Sequence, residues 1–166
     1  MAPGLALPSF ALDEFCWRRP DTMTRRDWLL LLLGAPESVP LDPVRVQKSM
    51  FLFVHEDQLP VGERYEFTPY DYGPFSSEIY ADLDSLVAAG LAERLDTPGY
   101  TWKQFRASAD GVARARGLQA TFDNEQRQLA ERLFELKARV LAFSFRDLLT
   151  YVYDRYPEFA RNSIFR

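Results

Sequence analysis

Residues 91–107 read LAERLDTPGYTWKQFRA. Leu91–Leu95 and Tyr100–Ala107 are two strand-like runs, and Asp96-Thr97-Pro98-Gly99 between them is strong turn chemistry. A β-hairpin at this point decides the fold class, because nearly everything around it has helical periodicity. Working back from it, Ile79, Tyr80, Leu83, Leu86 and Val87 fit one face of a third helix, predicted from about Phe75 to Ala89 and closed by Gly90. Tyr65–Thr68 reads as a short strand, followed by an aromatic turn segment, Pro69–Pro74. Val46, Met50, Phe53 and Val54 form the stripe of a second helix reaching about His55. Asp42 caps it, and Pro43 occupies the first turn, where a missing N–H costs nothing. Thr24 and Asp27 have capping-box spacing ahead of a first helix that runs through Trp28 and the leucines to Gly34, expected as its C′ residue.

The order is helix, helix, strand, helix, strand, strand. This is winged-helix topology, an α+β fold that is mainly α. A short helix over Ser108–Arg116 is expected to close a domain spanning residues 23–117. Residues 118–166 then form a helical appendage. Asp123 caps one helix, and Ser144, with Asp147 three residues on, starts another. Leu129, Leu133, Leu136 and Val140 repeat at spacings of four, three and four, a seam that must dock on the domain or on a second copy. We expect the second copy, as a twofold homodimer. Residues 1–22, interrupted by Pro3 and Pro8, read as a flexible arm and lack the basic start of a secretory leader.

Composition narrows the function. Among 166 residues there is one His and one Cys, so neither a disulfide framework nor a Cys-based zinc site is available. That suits a reducing cytoplasm. No phosphate-binding glycine loop, zinc-protease motif or nucleophile-elbow pentapeptide occurs. His55 beside Glu56 and Asp57 is the one group of titratable residues worth weighing, and a structural histidine is the better reading. The expectation is no enzyme, no cofactor, no metal and no membrane span.

Two features point to a binding function. Residues 65–80, YEFTPYDYGPFSSEIY, hold four tyrosines and two phenylalanines around a Gly-Pro pair. Rigid rings with a polar tip suit protein recognition, although the same rings can serve as core anchors. Phe67, Phe75, Ile79 and Tyr80 are expected inside, with Tyr70, Asp71 and Tyr72 outside. Tyr70, Asp71, Tyr72, Phe75, Glu78 and Asp82 are therefore the candidate contacts for a protein partner.

The alternative is a DNA-binding regulator using the third helix and a basic wing of Arg94, Lys103 and Arg106. Charge weighs against it. From Asp27 to Glu93 three basic residues face twelve acidic ones, and Phe75–Gly90 holds no Lys or Arg. A helix of that charge repels phosphates.

Gln47-Lys48 followed by Met50-Phe51-Leu52-Phe53 resembles the hydrophobic QK helix of the Panacea (SocA-like) antitoxin-domain proteins and the YwgA-like phage-associated proteins. Tyr72-Gly73-Pro74-Phe75, with Glu78-Ile79-Tyr80 beyond it, resembles their GP element leading into a helix. The likeness runs from about Trp28 to Leu95. It implies a domain that binds protein partners, in some members neutralising a toxin, with no cofactor and no catalytic residues, and it places a toxin or defence component among the partners to consider. Leu149–Pro157 is more similar to the YwgA-like group.

Overall fold

The structure, a computed structural model, describes residues 22–165. The arm expected over residues 1–22 therefore lies, except for Thr22, outside the described residues. In chain order the elements are α1 (Arg25–Gly34), α2 (Pro43–Asp57), a 3-10 turn (Val61–Glu63), β1 (Thr68–Tyr70), β2 (Gly73–Phe75), α3 (Ser77–Ala88), β3 (Ala92–Asp96), β4 (Lys103–Ala107), α4 (Ala109–Ala120), α5 (Asn124–Ala142), α6 (Phe145–Arg155) and a second 3-10 turn (Pro157–Ala160). The described residues form an α+β, mainly helical fold with two small antiparallel sheets.

Local chemistry starts most helices where the side chains dictate. Thr24 and Asp27 close a reciprocal capping box on α1, Asp42 caps α2 ahead of Pro43, and Ser144 caps α6. Asp123 forms a full capping box on α5, because Gln126 returns a bond to its backbone. Gly34 departs from expectation. It is the last residue of α1, followed by an extended Ala35, and a Cβ there would sit 3.0 Å from that of Ala107. Close packing against β4 requires this glycine, not a left-handed cap.

β3 and β4 pair in register from Ala92↔Ala107 to Asp96↔Lys103. Tyr100, Thr101 and Trp102, expected in the second strand, belong instead to the connecting loop, where the Tyr100 N–H donates to the Thr97 carbonyl at 3.0 Å. Leu41 and Phe105 exchange two backbone hydrogen bonds of 2.8 Å. A single residue ahead of α2 thus extends this sheet.

The strand expected at Tyr65–Thr68 does not form there. Tyr65 is buried, with its hydroxyl donating to Asp82 at 2.7 Å, and Pro69–Pro74, expected as a turn, folds into the β1–β2 hairpin. α3 accordingly starts at Ser77 instead of Phe75.

One hydrophobic cluster joins all of this. Leu29–Leu33, Met50, Phe51, Phe53, Leu83 and Leu86 are buried within it. Trp28 stands edge-on to Phe53 at 5.2 Å. Leu129, Leu133, Leu136 and Val140 belong to the same cluster. The seam proposed for twofold pairing is therefore covered by its own chain, which corrects the expectation of a dimer formed through it. Arg132–Asp57 (2.6 Å) and Arg139–Glu56 (2.7 Å) pin α5 to the end of α2. The Lys137 ammonium reaches the carbonyls of Ala35 (3.0 Å) and Glu37 (2.7 Å). α4 continues to Ala120, past the Arg116 end expected for it, so the boundary placed after residue 117 falls inside a helix. Among the described residues no helix is long and apolar enough to cross a membrane.

Candidate partner-binding surface

The β1–β2 hairpin is three residues per strand, and both strands carry a proline. Pro69 faces Pro74 across the ladder, a position that tolerates two residues without N–H groups only where no ladder bond falls. So short a hairpin is not stable alone. It is held from beneath by α2. The Gln47 side chain donates to the Ser76 carbonyl and accepts from the Ser76 N–H, both at 2.9 Å. Lys48 Nζ donates to the Pro74 carbonyl at 2.9 Å. The residues of the QK element thus grip the residues of the GP element. Loss of either buried partner would leave polar groups unsatisfied, at about 1–3 kcal/mol each.

Gly73 is required at its position. Its φ is +90°, and a Cβ would stand 2.8 Å from Cε1 of Tyr153 on α6. The Tyr153 hydroxyl donates to Ser163 at 2.6 Å. Beyond it, Asn162 Nδ2 reaches the Pro69 carbonyl at 3.2 Å and the Ile164 N–H reaches that of Asp71 at 2.9 Å. The hairpin is therefore clasped between α2 and the last described residues.

Rings cover what remains open. Tyr70 is 54% and Tyr72 40% exposed. One run of contacts goes from Tyr70 to Phe75 (5.0 Å between centroids) and on to Tyr80 (5.7 Å). A second goes from Tyr72 to Phe145 (5.6 Å) and on to Phe165 (5.8 Å). Phe145 is itself exposed, and so is Ile164. Asp71, expected outside, is half-buried, and Phe67, Phe75 and Tyr80, expected inside, are half-buried as well; Ile79 is fully inside.

The two acids of α3 expected to meet a partner, Glu78 and Asp82, have a different placement. Glu78 is ion-paired with Arg25. Asp82 accepts from Tyr65 and lies 3.3 Å from Arg25 Nε, its side chain largely covered. Burial, with Asp82 alongside, pushes the Tyr65 hydroxyl far up, so it stays a neutral donor. These acids tie α3 to α1 and are not brought into the ring surface.

The basic wing is likewise internally paired. Arg94 pairs with Asp84, Lys103 with Asp96, and Arg106 Nε with Glu93 at 2.8 Å. At the tip, Tyr100 and Trp102 stack at 4.0 Å and are both exposed.

His55 is structural in its contacts. Its ring packs 4.1 Å from Phe51 and 5.4 Å from Tyr156, and Nδ1 is 2.9 Å from the Phe51 carbonyl. Glu56 and Asp57 are engaged by α5. His55 also lines a cleft of about 450 Å³ with Arg64, Glu66 and Phe159. Among the described residues no group of three His, Cys, Asp or Glu side chains could hold a metal.

Phe145 was not recognisable in the sequence as part of this surface, because it sits in the first turn of α6 with no contact to the hairpin until the chain has folded. Lys48 and Gln47 were visible only as a motif. The chain matches no protein-family model and no curated protein.

Proposed function

We propose that this chain is a non-enzymatic, winged-helix protein-interaction module, antitoxin-like or an adaptor in defence, and that its partner docks on the rings of the β1–β2 hairpin. The exposed pair Tyr70 and Tyr72, on a hairpin gripped from beneath by Gln47 and Lys48, carries this reading. Ring surfaces on a rigid support lose little entropy on binding and are where hot spots concentrate. Strand addition is disfavoured as the mode, since each strand has a proline and the carbonyls of Pro69 and Pro74 are already capped. The winged-helix reading is supported by the order α1, Leu41, α2, α3, β3, β4, in which Leu41 supplies the short third strand beside Phe105. Such a module works in the cytoplasm and needs no cofactor.

The DNA-binding alternative through Arg94, Lys103 and Arg106 has less support, because every one of these cations already faces a carboxylate.

The protein encoded by the adjoining gene is the partner to test. Calorimetric titration should give a complex with the intact chain. Tyr70→Ala combined with Tyr72→Ala should weaken it at least about tenfold while leaving thermal unfolding unchanged. Equal affinity for the variant, or no complex at all, would overturn the reading.

A further inference from the structure

Lys48 is 3% exposed, yet among the described residues it makes a single hydrogen bond, to the Pro74 carbonyl. An ammonium carries three donors. The hydroxyls of Ser49 and Ser76 are buried and have no hydrogen-bond partner among the described residues, so neither serves it. Among the described residues, Asp42 at the start of the same helix is the one charge that acts on it. β2 offers only Gly73, Pro74 and Phe75, which do not titrate. Tyr80 on α3 and Tyr153 on α6 are both held above their usual range by burial and stay uncharged.

We infer that Lys48 is a proton-operated catch for the ring-bearing hairpin: as an amine it holds Pro74, and as an ammonium it lets the hairpin loosen. The physical reason is solvation. A buried ammonium with one carbonyl for company must find water, either by withdrawing along its flexible stem or by admitting water past Pro74. Both movements break the bond that supports β2. Burial places the transition at about 7, within reach of ordinary changes in pH. That the catch controls partner binding rests on the hairpin being the docking surface; that it controls the hairpin does not.

The test is hydrogen exchange by NMR on the full chain at about pH 6 and about pH 8, with intrinsic rates corrected. Protection of the Tyr70, Gly73 and Phe75 amides should fall roughly tenfold at the lower pH, and at both pH values these amides should open at a lower free energy than those around Leu133 on α5, which open only with global unfolding. In Lys48→Met, which keeps the stem and removes the nitrogen, hairpin protection should be equal at both pH values. The Lys48 Cε resonance of the unaltered chain should titrate in step with the hairpin, a readout that needs no variant. Unchanged hairpin protection across that range, or the same acid loss in Lys48→Met, overturns the inference. Affinity for the adjoining gene's product, measured in parallel, separates the two readings: hairpin loosening without a change in affinity leaves the catch standing and moves the docking surface elsewhere.

Discussion

A Cβ placed on Gly111 would stand 1.9 Å from the carbonyl oxygen of Leu91. That oxygen cannot retreat, because it accepts the Ser108 N–H at 3.0 Å just before α4. The start of α4 therefore lies directly on the residue that leads into β3. Gly111→Ala should lower the free energy of unfolding by about 3 kcal/mol, since backbone must move to admit a methyl group. Gly117, nearly two turns further along the same helix, has none of the described residues within 4 Å of its Cβ position. Gly117→Ala should stabilise by about 0.5–1 kcal/mol through helix propensity alone. Denaturant midpoints of the two variants should move in opposite directions, and movement in the same direction would refute the packing of α4 on Leu91.

Stability should rise with pH through the neutral range. Burial lowers Lys48 to about 7 and Lys137 to about 8 from the 10.5 of a free lysine. Between those values the unfolded chain holds more protons than the folded one, so raising the pH favours folding. The contribution is absent below the folded-state values and complete above the unfolded one. Urea midpoints should climb from about pH 7 to about pH 10, and Lys48→Met should flatten much of the climb. A flat profile for the unaltered chain would show that both lysines are solvated.

Leu133 is wholly buried between α5 and the helices beneath it. Leu133→Ala should reduce stability by about 2–5 kcal/mol, the range for a core leucine. Its sedimentation coefficient should match that of the unaltered chain at every concentration. A change in association state with little loss of stability would return the seam to the role of a subunit interface.

Random duplex DNA should not bind at about 10 µM protein in about 150 mM salt. The double variant Lys103→Glu, Arg106→Glu should behave the same, since both cations already face Asp96 and Glu93. Submicromolar binding that weakens steeply with salt, and disappears in that variant, would establish the wing as a nucleic-acid contact.

Much of the helical skeleton was legible in the chain. Thr24, Asp42, Asp123 and Ser144 cap helices because a side-chain oxygen two or three residues from an orphan N–H is a local arrangement, decided before any tertiary contact forms. The buried faces carrying Met50, Phe53, Leu83 and Leu86 followed from helical periodicity for the same reason. The candidate surface was legible in part: Tyr70 and Tyr72 are exposed as expected, whereas Glu78 and Asp82 are drawn to Arg25, 53 positions from Glu78 in the chain.

Local and periodic features follow from the order of residues alone: where helices start, which face of each is apolar, and that residues 92–107 form a hairpin. Tertiary structure alone decided which partner each face and charge would meet. An apolar seam such as Leu129–Val140 is equally satisfied by its own domain or by a second copy, because burial has no direction, and the ion pairs of α5 with Glu56 and Asp57 and the reach of Lys137 to Ala35 select the first. The same holds for Lys48. Its position on an apolar helix was written in the chain, but its isolation from water and its hold on Pro74 exist only once α2 and the hairpin have closed on each other.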